Sequence, residues 1–398
     1  MRHAFVVPRY GREVVGGAEL GARLLAEHLV AAGRAEVEVF TTCALDHRTW
    51  ADHYPAGTTV EEGVRVHRFP VRAGRHARFD RLAAEALTRP HEASDDVQDR
   101  FFERQGPVCP EAVDAAAASD ADTVAFYPYL YHPTVTGVPR LGRRAVLHPA
   151  AHEEAPLHLP RFAEVFSAPG GLVFHTEAER RLVEQTFPAT IGLPQLVLGL
   201  GVDGPEPGDP LEARRKLGLG ERPYLLSLGR VEATKGSTLL ARLFAAYKER
   251  RPGPLALVLA GPSGHEEAPP AHPDVLLPGR VADATKWGLL RGAAAVVVPS
   301  MLESFSFVVL EAWLAGVPVL VNAGCGPTRE HCERSGGGLW FGSYAEFEVA
   351  VDRLLGDADL AATLAARGRA YTEEGFRWPV VVDRYARFLE ALGVRSGA

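Results

Sequence analysis

Short apolar runs alternate with helical stretches along nearly the whole chain, and that alternation leaves few folds open. His3–Val7, Glu36–Thr42, Val64–Phe69, Thr123–Tyr127, Arg144–Leu147, Leu172–Phe174 and Leu196–Leu198 read as strands in the first half. Tyr224–Leu228, Leu255–Ala260 (ending in Gly261-Pro262-Ser263-Gly264), Val275–Leu277, Ala294–Val298 and Val317–Val321 do so in the second. Between them apolar residues recur at helical spacing, as Leu20, Leu24, Leu25 and Leu29 do after Gly16-Gly17-Ala18-Glu19. Strands of this length, each followed by a helix, form parallel sheets covered on both faces, so the expected class is α/β. The pattern breaks at residues 201–210, where Pro205, Pro207 and Pro210 alternate with Gly201, Gly204 and Gly208. Proline and glycine at that density mark a linker. With 398 residues, more than one core usually holds, the expectation is two domains.

The net charge of −7 carries no footprint for nucleic acid, which wants a clustered basic excess. Cys43, Cys109, Cys325 and Cys332 form no CxxC pair, so reduced thiols are expected. The apolar start, interrupted at Pro8, is too short for a signal peptide. No run approaches the ~18 apolar residues of a membrane span. The expected location is cytoplasmic.

The chemistry concentrates at residues 299–311. An apolar strand stops at Pro299, and Ser304 or Ser306 is expected to cap a helix that ends at Gly316. A strand that delivers its end onto a helix N-terminus makes an anion site. Glu303 lies before the helix and Glu311 inside it, ~12 Å apart if the stretch between were helical. That spacing suits the two ends of a long ligand with an anionic middle, the layout of a nucleotide-sugar. A buried strand, a capped helix and two solvated glutamates fit the same residues.

Other candidates follow the ends of strands. Arg230 and Lys235 come just after Tyr224–Leu228, where two cations beside a helix mouth would neutralise a leaving diphosphate without a metal. Gly16 and Gly17 let a backbone approach a ligand at a helix mouth, although a plain tight turn reads the same way. His148 and His152 follow the strand Arg144–Leu147 at the end where ligands sit in doubly wound sheets. Asp120-Ala121-Asp122 spells a metal-holding pattern but stands before a strand, and it reads as turn chemistry, as does Asp357-Ala358-Asp359. Arg72, Arg75, Arg78, Arg81 and His76 form a basic patch that suits a solvated helix face, an anionic acceptor or a membrane surface. Cys325, Cys332 and His331 make an incomplete set for zinc.

Gly229-Arg230, Lys235-Gly236, Pro299-Ser300, Phe305, the E-x7-E spacing of Glu303 and Glu311, Gly316 and Pro318 together resemble the retaining family-4 glycosyltransferases of GT-B architecture. Gly16-Gly17-Ala18-Glu19 and a histidine–acid pair after a middle strand extend the resemblance over nearly the whole chain. It is also similar to the branch of envelope-polysaccharide and antibiotic sugar transferases. The resemblance implies two Rossmann-like domains facing across a crevice: an acceptor-side domain over 1–205, a nucleotide-sugar domain over 206–375, and a helix over 376–398 that crosses back to the first.

The resemblance also implies roles. Gly16 and Gly17 approach the donor phosphate or sugar, Arg230 and Lys235 hold the diphosphate, and Glu303 binds the sugar hydroxyls. The N–H groups near Phe305 and Ser306 meet phosphate, and Glu311 meets the ribose. His152, followed by Glu153, touches the sugar at the reacting carbon, with His148 as the alternative. The implied reaction moves a sugar from a nucleotide diphosphate to the hydroxyl of a glycan, lipid-linked or small-molecule acceptor, with retention and with no metal or other cofactor. A nucleotide-sugar epimerase or hydrolase, or a non-catalytic nucleotide-sugar- or glycan-binding subunit, are the alternatives.

Overall fold

The computed structural model describes residues 1–14, 16–263 and 268–396. Gly264, at the end of one expected loop, and the last two residues of the expected terminal helix lie outside them. The chain divides into two compact units, Met1–Gly201 with the segment from Trp378, and Val202–Arg377.

The first unit is built on an eight-stranded sheet. Its strands are β1 (Arg2–Val6), β2 (Glu36–Thr42), β3 (Gly57–Glu61), β4 (Val64–Phe69), β5 (Thr123–Phe126), β6 (Ala145–Leu147), β7 (Gly171–Phe174) and β8 (Gln195–Val197). They lie in the order β3-β4-β2-β1-β5-β6-β7-β8. Every pairing is parallel except β3–β4. Three of the interior strands, β5, β6 and β7, are buried at every position because helices cover both faces of the sheet there. β3 was not expected. It is an exposed edge strand, Gly-Thr-Thr-Val-Glu, returned by a two-residue turn at Glu62 and Gly63, both with positive φ. The helix Trp378–Ser396 belongs to this unit, packing Trp378, Val381, Val382, Tyr385 and Leu389 against the core beneath β1 and the helix Gly17–Ala31.

The second unit carries β9 (Tyr224–Leu228), β10 (Ala256–Ala260), β11 (Val275–Gly279), β12 (Ala295–Val298), β13 (Val319–Asn322) and β14 (Gly338–Phe341). All pairings in the order β11-β10-β9-β12-β13-β14 are parallel. β14, an edge strand of four residues, was not expected either.

Each sheet reverses its strand order at one place. In the first unit β1 has β2 on one side and β5 on the other; in the second, β9 has β10 and β12. Loops leaving the C-terminal ends at such a reversal part to opposite faces and leave a cleft for a ligand. The loops after β9 and β12 carry Arg230, Lys235 and Glu303, and the loop after β1 carries Gly16.

Candidate functional site

In the second unit the expected residues are drawn into pairs. Lys235, in a short helical turn after β9, places Nζ 2.8 Å from Glu303 Oε1 in the loop after β12. Gly236 lets these loops touch: with φ of 75°, its absent Cβ would come within 2.5 Å of the Pro299 carbonyl oxygen. A side chain there would push the lysine's loop from the glutamate's. Arg230 Nη2 lies 3.1 Å from Glu232 Oε1, and the Thr234 hydroxyl donates to that same oxygen at 2.9 Å. Glu311, in the helix Phe307–Leu314, receives Lys286 Nζ at 2.8 Å. Each glutamate of the E-x7-E pair therefore has its own lysine. Lys286 escaped the sequence reading because it lies within the helix Asp283–Gly292, with no strand end or glycine to single it out.

The helix mouth differs from expectation in one respect. Ser306 occupies the N-cap position, but it sits in the left-handed region (φ 72°, ψ 86°) and its side chain makes no capping bond. The first-turn N–H groups are thus not taken by that hydroxyl, which suits an external anion. Phe305 is 2% exposed and packs on His331 and Phe376, while its carbonyl accepts from His331 Nε2 at 3.0 Å. Its ring belongs to the core.

In the first unit, Gly16 precedes the helix Gly17–Ala31, and a Cβ on it would collide with the Glu19 carboxylate. Glu19 is buried against Arg9, whose Nε donates to Glu19 Oε1 at 3.0 Å and whose Nη1 donates to the Leu45 carbonyl at 3.0 Å. The glycine loop thus rests on a buried ion pair. Gly17 has nothing within 4 Å of where a Cβ would stand.

The two histidines after β6 separate by burial. His148 is fully buried, stacked on Tyr127 at 4.2 Å, with Nε2 2.9 Å from the Tyr385 hydroxyl, and burial holds it well below the usual histidine range. That hydroxyl also meets His3 Nε2 at 2.9 Å, and burial lowers His3 to about 3. His148 and His3 form a neutral internal network. His152 is half-buried, with Nδ1 3.3 Å from Glu154 Oε1, an oxygen that also accepts from the Tyr129 hydroxyl at 2.8 Å. A proton held on Nδ1 by Glu154 leaves the lone pair on Nε2. The neighbouring Glu153 instead pairs with His158 at 2.6 Å. The histidine's acid partner is thus two residues on, not adjacent.

Sequence reasoning also missed Glu179, in the helix Glu177–Thr186 after β7. Its carboxyl is buried and accepts from Ala151 N–H at 2.8 Å and His175 N–H at 2.6 Å. Burial pushes it up to about 7 against the pull of those N–H groups and of His152. The residue looks like an ordinary capping glutamate, three after the Thr176 cap, so nothing in the sequence shows that it reaches another loop.

The remaining patterns fall to local structure. Asp122 accepts from the Arg2 N–H at 2.9 Å and Asp120 pairs with the Arg2 side chain, both at the end of the sheet away from the candidate loops. Asp357 caps the helix Ala358–Gly375 through Leu360 N–H at 2.9 Å. Among the described residues, no group of three His, Cys, Asp or Glu side chains converges as a metal set. Nor, among them, is any helix long and apolar enough to cross a membrane.

Residues 210–371 match the model of the family described as "Glycosyl transferases group 1". A D-inositol 3-phosphate glycosyltransferase of Salinispora arenicola is 35% identical over 207 residues, 46% of this chain and 46% of that protein. The chain thus spans about half the length of the curated relatives it matches. Among solved structures, sucrose-phosphate synthase of Thermosynechococcus elongatus superposes with a TM-score of 0.72 at 18% identity, over 99% of this chain and 100% of that one. Anabaena HepE in complex with UDP and glucose gives 0.67 at 18% identity, over 98% and 100%. The fold is the GT-B architecture, two parallel-sheet α/β units, and residues 210–371, within the second unit, are similar to the group 1 glycosyltransferases.

Proposed function

We propose that this chain is a retaining glycosyltransferase that moves a sugar from a nucleotide diphosphate to an acceptor hydroxyl. The observation that carries the reading is the pairing of Lys235 with Glu303 and of Lys286 with Glu311 on either side of one helix mouth. Carboxylates that bind hydroxyls at the two ends of a ligand are held there by cations, and the helix N-terminus between them suits a diphosphate. Arg230 and Lys235 neutralise the charge that grows on the leaving diphosphate, so the reading asks for no metal. Glu303 takes the sugar hydroxyls and Glu311 the ribose. Main-chain N–H groups at Phe305 and Ser306 meet phosphate.

From the first unit, Gly16 and Gly17 present main chain to the donor, and His152 presents Nε2 near the reacting carbon. In the reaction the acceptor oxygen bonds to the anomeric carbon as that carbon's bond to the diphosphate oxygen breaks. The acceptor's proton passes to that leaving oxygen. Both events occur on one face, which retains configuration without the carboxylate nucleophile of a double displacement. The product class in view is a polysaccharide, glycolipid or natural-product glycoside, and the matched relatives, named for an inositol phosphate acceptor, make a small phosphorylated polyol an acceptor to include.

The test begins with binding. A nucleotide at ~100 times its dissociation constant stabilises the fold by about 2.7 kcal/mol. Of UDP, GDP, dTDP and ADP, UDP comes first because HepE is seen with it. We expect one nucleotide to raise the unfolding temperature without added metal, and the matching nucleotide-sugar to be consumed faster when acceptor is present. Silence from all four with folded protein would overturn the reading. Consumption that ignores acceptor would move it to a hydrolase.

A further inference from the structure

His152 follows a backbone turn that an alanine does not adopt unaided. Ala150 has φ of 51°, in the left-handed region that favours glycine, and it is almost fully buried. Such a conformation persists only where its surroundings impose it. On one side, Pro149 is tied to β5's exit by Tyr129 N–H donating to its carbonyl at 3.0 Å. On the other, the Ala151 N–H donates to Glu179 Oε1 at 2.8 Å. The other carboxylate oxygen is engaged by His175 N–H at 2.6 Å, where β7 gives way to the next helix. One buried carboxylate therefore bridges the ends of two neighbouring strands, and the residue after the bridged N–H is His152.

We propose that Glu179 is a positioning residue for His152: by holding the loop 150–152 in its left-handed turn, it sets where the histidine stands toward the transferring sugar. The inference rests on the transferase reading above. An ordinary capping glutamate turns back onto its own helix, whereas this one spends Oε1 on a loop 28 residues earlier in the chain. A carboxylate is required because both oxygens face N–H donors. An amide would turn one NH₂ group against a donor and release either Ala151 or His175.

The experiment compares Glu179→Gln, Glu179→Asp, His152→Ala and the double variant Glu179→Gln/His152→Ala in the full chain. The readouts are nucleotide-sugar turnover, the donor KM, nucleoside diphosphate affinity and unfolding temperature. Misplacement of a reacting group by about 1 Å costs roughly 10²-fold. We expect Glu179→Gln to lower kcat by that order while donor KM and diphosphate affinity stay within about two-fold, and to add little in the His152→Ala background. Glu179→Asp keeps the charge and the helix cap but is too short to reach Ala151, so it should lose kcat similarly. It also keeps the test valid should the glutamine variant not fold. A kcat near wild type in either folded variant would overturn the positioning role, and so would an equal loss with and without His152, since a purely structural glutamate acts on both backgrounds alike. Failure of the wild type itself to turn over any nucleotide-sugar would instead overturn the transferase reading, and this inference with it.

Discussion

In the second unit the candidate charges reach solvent and neutralise each other pairwise, Lys235 on Glu303 and Lys286 on Glu311, with exposures between 18% and 31%. In the first unit the corresponding geometry rests on groups withdrawn from water: His3, His148 and Tyr385 share one hydrogen-bond network, and Glu179 and the Arg9–Glu19 pair are buried. On the proposed reading, the contrast follows from what each arrangement has to do. Charges that meet a diphosphate must be able to exchange their partner for the ligand, so they stay at the surface in pairs of modest net worth. Groups that fix a loop must not exchange, so they are buried, where leaving one unpaired is costly.

The largest effect should fall on the exchangeable pairs. Lys235→Ala is expected to lower kcat/KM by about 10²–10³, ~3–4 kcal/mol of transition-state stabilisation, with the unfolding temperature barely changed. Glu311→Ala should act in the same direction and chiefly weaken the nucleotide. Steady-state kinetics beside a thermal scan decide it, and near-normal turnover in both would remove the basis for the comparison.

Acid should distinguish the units next. In the first unit burial lowers His3 and His175 to about 3 and holds His148 well below the usual histidine range, against His331, at about 4, in the second. A histidine whose folded pKa is depressed is neutral in the native state but takes up a proton on unfolding below 6.5. Stability is therefore lost as pH falls from 6.5 toward the folded value, at about 1.4 kcal/mol per pH unit for each such group. Among the described residues the first unit holds four such histidines, His132 included, against one in the second, and the raised Glu179 offsets about one of them, so the first unit should unfold at a higher pH than the second. Unfolding followed between pH 7 and 4, with nucleotide binding as the reporter of the second unit, checks the order. A first unit that outlasts the second in acid would break the comparison.

The smallest effect concerns one hydroxyl. Tyr385→Phe removes the group shared by His3 Nε2 and His148 Nε2 and should cost ~1–3 kcal/mol for the buried nitrogens left without it. Denaturant unfolding measures it, and nucleotide affinity should stay as in the wild type. A variant as stable as the parent would mean that the network is dispensable.

Most of the strands were legible in the sequence because each turns at least one apolar face to the core, and Glu36–Thr42, Val64–Phe69 and Tyr224–Leu228 have the boundaries expected of them. The edge strands Gly57–Glu61 and Gly338–Phe341 were not, the first because it is exposed and mostly polar and the second because four residues are too few to show a period. At the candidate site, Glu303 and Lys235 were visible as charges following strand ends, whereas Lys286 and Glu179 lie in helices among residues that look like any solvated or capping charge.

By itself the sequence determined the α/β class, the two-part organisation and the strand ends that the candidate residues follow, because periodicity and breaks in periodicity are local properties of the chain. Tertiary structure alone decided which charges meet: that Glu303 and Glu311 each take a lysine, that the Ser306 side chain makes no capping bond, that His148 is sealed in the core while His152 is not, and that Glu179 reaches the loop of His152. Pairing and burial depend on which loops the parallel sheet carries to the same end, and residues far apart in sequence hold no record of that in their spacing.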